Sequence, residues 1–187
     1  RWYTGSGLYR DVELLTGPKV CIPVWGVCVR TLSIENGIAR MWAQVQVLGG
    51  AGCVYACVRS PEGNSVIEMR REAAQGRAEF VWGLPANQLW TAETPFLWRF
   101  EARVEAEDGS IDAESVRFGI RTIAADPEKG LLVNGASVKL RGGCVHHDNG
   151  PLGACSWADA ERRRVFKLKE AGCPAHQCGY QSENHRL

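Results

Sequence analysis

The chain has 187 residues, with 22 Lys and Arg against 21 Asp and Glu and a formal net charge of +1. That even balance, without a basic stripe, argues against a nucleic-acid partner, and no apolar run reaches the roughly 18 residues a membrane-spanning helix needs. The length suits one to two domains with a sizeable core.

In chain order, residues 1–15 read as an edge piece in which Val12 and Leu14 suit one strand with partners upstream. The chain opens mid-motif on Arg-Trp-Tyr, so the natural start is expected further upstream. From residue 18 to 123 the pattern has a period of two. Ala39, Met41, Ala43, Val45 and Val47 alternate with polar residues, as do Trp98, Phe100, Ala102 and Val104, and Val116, Phe118 and Ile120. Val54, Ala56 and Val58, and Ala78, Phe80 and Trp82, repeat the pattern over shorter runs. One buried and one wet face per strand predict antiparallel sheet. Turn signals at Asn36-Gly37, Gly49-Gly50, 61–64 and Asp108-Gly109 divide the runs. About seven short strands over some hundred residues predict an immunoglobulin-like β-sandwich. Trp42 breaks the pattern on a polar face, where it is read as covered by a neighbouring segment rather than as a platform for sugar.

Residues 124–130 read as a boundary, since Pro127 forces extended geometry on Asp126 and Gly130 allows a turn. Asn134-Gly135 between apolar runs predicts a hairpin, because both residues tolerate positive φ. A short strand over 140–145 follows, and His146, His147, Asp148 and Asn149 cluster at its end. Polar groups just past a strand's C-terminal end are where α/β folds place their sites. A helix is expected next, capped by Ser156, with Trp157, Val165, Leu168 and Ala171 near one face and Gly172 as its stop.

The eight cysteines (21, 28, 53, 57, 144, 155, 173 and 178) include no Cys-x-x-Cys pair. Cys53 and Cys57 share one strand face about 13 Å apart, too far to bridge each other. Most of the eight are read as small buried apolar residues of a reducing compartment, which favours a cytoplasmic address. A metal site on the late cysteines and histidines is the weakest reading.

VRFGIRTI (116–123), DPEKGLLVNG (126–135), VKLRG (138–142) and HHDNGPLG (146–153) resemble the junction region of glycoside hydrolase family 2, which holds β-galactosidases, β-glucuronidases and β-mannosidases. RWYTGSGLYRDVEL (1–14), LWTAETPFLW (89–98) and WADAERRRVFKLKEAG (157–172) extend the resemblance, and HHDNGPLG is most like the β-galactosidase branch. The resemblance implies three parts. Residues 1–17 end a sugar-binding jelly-roll domain, 18–123 form the immunoglobulin-like sandwich, and 124–187 begin a (β/α)8 TIM barrel that is truncated. It implies a retaining glycosidase acting on β-linked sugars, with β-galactosides favoured.

Such enzymes need two carboxyls about 5–5.5 Å apart. The family carries both as glutamates on later barrel strands, so no catalytic residue is expected in this chain and none of its own turnover. His146 matches the family histidine that contacts substrate after the first barrel strand; His147, Asp148 and Asn149 are expected to shape the loop, and Arg141 to pair with a barrel carboxylate. No cofactor or metal is called for by the residues, although the resemblance admits a divalent cation such as magnesium in the full-length enzyme. The implied partners are a carbohydrate substrate and, at full length, further copies of the same chain. The tail from Pro174 to Leu187 departs from the family pattern, so His176 and His185 receive no role. The alternative is a non-catalytic β-sandwich module that binds carbohydrate or protein.

Overall fold

The structure, a computed structural model, describes residues 12–139, 151, 153 and 157–172. Those in 16–138 form one compact unit and the remainder belong to a second.

The first unit opens with strands β1 (Val27–Glu35), β2 (Ile38–Gln46), β3 (Gly52–Arg59), β4 (Ser65–Glu72), β5 (Arg77–Pro85), β6 (Trp98–Ala106) and β7 (Ile111–Phe118). They form two antiparallel sheets, a three-stranded one in the order β1-β2-β5 and a four-stranded one in the order β4-β3-β6-β7. The two sheets make a β-sandwich. Its core is the set of alternating side chains read from the sequence: Ala39, Met41, Ala43 and Val45 on β2, Val54, Ala56 and Val58 on β3, and Trp98, Phe100, Ala102 and Val104 on β6. Aromatic rings tie one sheet to the other. Trp82 of β5 stacks on Phe100 of β6 with centroids 5.5 Å apart, Phe80 meets the same ring edge-on at 5.9 Å, and Trp82 meets Phe118 of β7 at 6.3 Å.

β1 carries a bulge. Thr31 pairs with Met41 and Ser33 with Arg40, leaving Leu32 as the extra residue. Before β1, Cys21 and Leu48 exchange backbone hydrogen bonds of 3.1 and 2.8 Å, which seats Val20 and Ile22 in the core. Gly49 makes that seat fit: its φ is +85°, and a Cβ there would lie 1.8 Å from the Lys19 carbonyl oxygen.

After β7 the chain forms a small antiparallel meander in the order β10-β9-β8, from β8 (Ile123–Asp126), β9 (Gly130–Val133) and β10 (Ala136–Val138). The 124–130 stretch read as a boundary is thus the end of β8 and its turn. Asp126 closes that turn by accepting the Glu128 and Lys129 amides at 2.9 and 2.8 Å. Asn134 and Gly135, with φ of 51° and 79°, make the hairpin turn their identities predicted.

In the second unit the described secondary structure includes helix α1 (Ala158–Glu170), closed by Gly172 at φ +78°. Val12 and Leu14 are exposed, and the upstream partners expected for them are not among the described residues. One expectation needs correcting. The helix is capped by Trp157 without a side-chain hydrogen bond, rather than by Ser156, which lies outside the described residues. No residue of α1 is fully buried: Leu168 is half-buried, Val165 is exposed, and Trp157 before the helix stays 60 % exposed.

The cysteines are corrected too. Cys21, Cys53 and Cys57 are half-buried and Cys28 is exposed. Cys53 and Cys57 alternate with the inward Val54, Ala56 and Val58 and therefore face out. The Cys53 thiol accepts from Arg70 Nε at 2.8 Å, and Cys57 Sγ lies 3.3 Å from Ser65 Oγ. The Arg70 guanidinium is held above its ordinary pKa chiefly by that bond to Cys53.

Candidate functional site

His146 lies outside the described residues, as do Arg141, His147, Asp148, Asn149, Cys144, Cys155, Cys173, Cys178, His176 and His185. The structure does describe how the chain is held where it leaves the sandwich on its way to them.

That hold centres on Asn134. Its backbone N–H donates to the Thr122 carbonyl at 3.0 Å, and its Oδ1 accepts the Thr122 amide at 3.0 Å. Its Nδ2 donates to the Trp90 carbonyl at 3.0 Å. One residue thus makes the hairpin turn and, through its carboxamide, stands in for a missing strand partner. Trp90 is fixed in turn: its N–H donates to the Ile120 carbonyl at 2.9 Å, and the Arg121 guanidinium stacks over its ring at 4.3 Å. Gly119 allows this, since a Cβ there would lie 2.6 Å from the Trp90 Cβ and Cγ. The loop that follows is closed by Thr91, whose Oγ1 accepts the Thr94 amide at 3.0 Å. The Arg121 amide donates to Thr31 Oγ1 at 3.2 Å, which anchors the link to β1.

A direct test is Asn134→Gly, which keeps the left-handed turn and removes the carboxamide. Leaving the Thr122 amide and Trp90 carbonyl unpaired is expected to cost about 1–3 kcal/mol. Hydrogen exchange at the Thr122 amide should accelerate while the amides of β2 and β6 keep their protection. Unchanged exchange at Thr122 would dismiss the clasp.

Trp42 is half-buried, and the guanidinium of Arg30, its cross-strand partner, lies 4.4 Å above its ring. One ring face is therefore occupied by a cation, which fits a covered residue better than a sugar platform. Among the carboxyls, Asp108 is held below its ordinary pKa by the Ser110 side chain first and the Ser110 amide second. A glycosidase acid needs the opposite shift. Among the described residues no three His, Cys, Asp or Glu side chains converge as a group that could hold a metal ion.

Comparison with known proteins gives a consistent set of relatives. The sequence profile described as Glycosyl hydrolases family 2 matches residues 54–121. The chain is 34 % identical over 190 residues to the beta-galactosidase BoGH2A of Bacteroides ovatus, across 96 % of this chain and 22 % of that protein. It is 28 % identical to a putative beta-glucuronidase of Formosa agariphila, across 94 % of this chain and 17 % of that protein. Among solved structures, a family 2 glycosyl hydrolase of Bacteroides cellulosilyticus superposes with a TM-score of 0.78 at 32 % identity, covering 92 % of this chain and 25 % of that one. A beta-glycosidase from Bacteroides vulgatus superposes with a TM-score of 0.81 at 26 % identity, covering 92 % of this chain and 22 % of that one. The chain thus spans about a sixth to a quarter of the length of these relatives.

Proposed function

The chain belongs to the glycosyl hydrolases of family 2, of whose members it spans about a fifth, and on that premise we propose that it is part of a retaining glycosidase whose substrates are β-galactosides. The observation that carries the reading is the agreement over 92 % of the chain, at 32 % identity, with a family 2 structure. The preference for galactosides rests on the beta-galactosidase of Bacteroides ovatus and on the HHDNGPLG stretch.

In this reading the sandwich is the immunoglobulin-like domain, 1–17 end a jelly-roll domain and 124–187 begin the (β/α)8 barrel. His146 stands after the first barrel strand and donates to a sugar hydroxyl. The two reacting carboxyls come from barrel strands outside this sequence, so the mechanism here is one of positioning: the Asn134 clasp fixes the turn from which the chain runs to His146. The exposed side of α1, with Trp157, Val165 and Phe166, is the side further β/α units would cover.

The test is paired. The longer protein, incubated with chromogenic β-galactosides, β-glucuronides and β-mannosides, should turn over the galactoside fastest. The 187-residue chain alone should turn over none of them. A glucuronide preference would overturn the substrate and keep the family chemistry. Turnover by the short chain that vanishes on mutating one of its own carboxylates would overturn the assignment of the reacting carboxyls.

A further inference from the structure

The outer face of the four-stranded sheet carries its charges in bands. Arg59, Arg99 and Arg117 stand directly opposite one another across β3, β6 and β7. Two residues along, Glu68 of β4 and Glu101 of β6 flank Cys57; next Arg70 and Arg103 flank Tyr55, and then Glu72 and Glu105 flank Cys53. The sign alternates every two residues, so neighbouring bands lie about 6.8 Å apart along the strands. All these side chains are on the wet side of the sandwich, alternating with the buried core positions.

Like charges directly opposite across a sheet are unfavourable, and the pairs within the chain relieve only part of the face. Arg59 bonds Glu101 at 2.8 Å, Arg70 bonds Glu72 at 3.1 Å, and Arg103 lies 3.8 Å from Glu105. Among the described residues no ion pair reaches Arg99 or Arg117.

We infer that this face docks on the same face of a second copy of the chain. Place a two-fold axis between the two faces, parallel to the bands and midway between Glu101 and Arg103. Each strand then lies antiparallel over its own counterpart. Arg99 meets the partner's Glu105, Glu101 meets the partner's Arg103, and the same two pairs recur by symmetry. On β4, Glu68 meets the partner's Arg70. Every charged position of β6 is matched at once, and Arg99 gains a carboxylate partner. Moving the axis by one residue sets arginine against arginine, so the charges fix the register. Near the axis stands Tyr55, a flat aromatic anchor held between Arg70 and Arg103 with guanidinium carbons 5.6 and 4.8 Å from its centroid.

Four strands about 4.8 Å apart and eight residues at about 3.4 Å give roughly 500 Å² per copy, so the total lies at the lower edge of specific interfaces. The dimer is therefore weak and electrostatic. Sedimentation velocity across a concentration series should show it at about 0.1 M salt, and at about 1 M salt, where the screening length falls to about 3 Å, its association constant should drop at least about tenfold. Each of Arg99→Glu and Glu105→Arg alone places two like-charge contacts in the interface and should weaken association at least about a hundredfold. The double variant R99E/E105R restores the pairing and should restore the dimer. Circular dichroism checks that each variant is folded. A second swap, Glu101→Arg with Arg103→Glu, repeats the test should either first variant unfold. A chain that stays monomeric at low salt, association that ignores both single reversals, or a double variant that fails to recover would overturn the proposal. Association through the exposed apolar side of α1 gives the second of these outcomes and persists at high salt.

Discussion

Replacing Phe100 by alanine is expected to destabilise the sandwich by about 3–5 kcal/mol, enough to remove much of a typical domain's stability. Phe100 is fully buried, and its ring is where the two sheets meet: Trp82 stacks on it from β5, and Phe80 approaches edge-on from the same strand. Truncation leaves a cavity between two sheets that are each fixed by their own hydrogen-bond ladders, so collapse into it is limited. Aromatic pairs add about 0.5–1.5 kcal/mol each beyond the area they bury. Urea unfolding followed by tryptophan fluorescence checks this, with Phe96→Ala as the control. Phe96 is 39 % exposed on the loop before β6, and its loss should move the midpoint little. Equal midpoints for the two variants would mean that the aromatic cluster does not tie the sheets together.

The second large effect is expected in the longer protein. Under the proposed function, His146→Ala should lower kcat/KM by at least about a hundredfold, roughly 2.7 kcal/mol. Hydrogen bonds to sugar hydroxyls tighten as the oxocarbenium-like state forms, and the imidazole of His146 holds one such hydroxyl. The loss should therefore fall mainly on kcat, and His147→Ala should do less. Small and equal effects at the two positions would return His146 to a role in holding its loop.

The alternation on β2, β3, β5 and β6 was legible because each strand buries one face and wets the other, and no residue interrupts the count. β1 hides its period: the extra Leu32 at the bulge shifts Ser33 and Ile34 out of phase. β4 is an edge strand with no fully buried side chain, so Ile67 and Met69 give only a faint signal. Ile120 looked like a further strand residue because it is apolar and buried, but β7 stops at Phe118, where Gly119 slips under Trp90. A lone glycine inside an alternating run is itself a sign of close approach, so this contact could have been anticipated. The clasp could not. Asn134 announced a turn by its tolerance of positive φ, but nothing in the sequence says that its carboxamide will reach Thr122 and Trp90. The cysteines misled for a related reason: apolar chemistry suggested burial, whereas their place in the alternation puts Cys53 and Cys57 outside.

The clasp also bears on the order of events during synthesis. β2 pairs with β5 and β3 with β6, each across some forty residues of chain, and such distant pairings make folding slow. The four-stranded sheet lacks its last member until Phe118 has emerged, and only then do Ile120 and Thr122 reach the positions from which they hold Trp90 and Asn134. The hairpin, by contrast, is local and forms on a microsecond scale. In a nascent chain emerging N-terminus first, all strands of the sandwich and the dock for Asn134 are therefore available before residue 146 emerges. In this sense the sandwich serves as a starting block, against which the next part of the protein begins to fold.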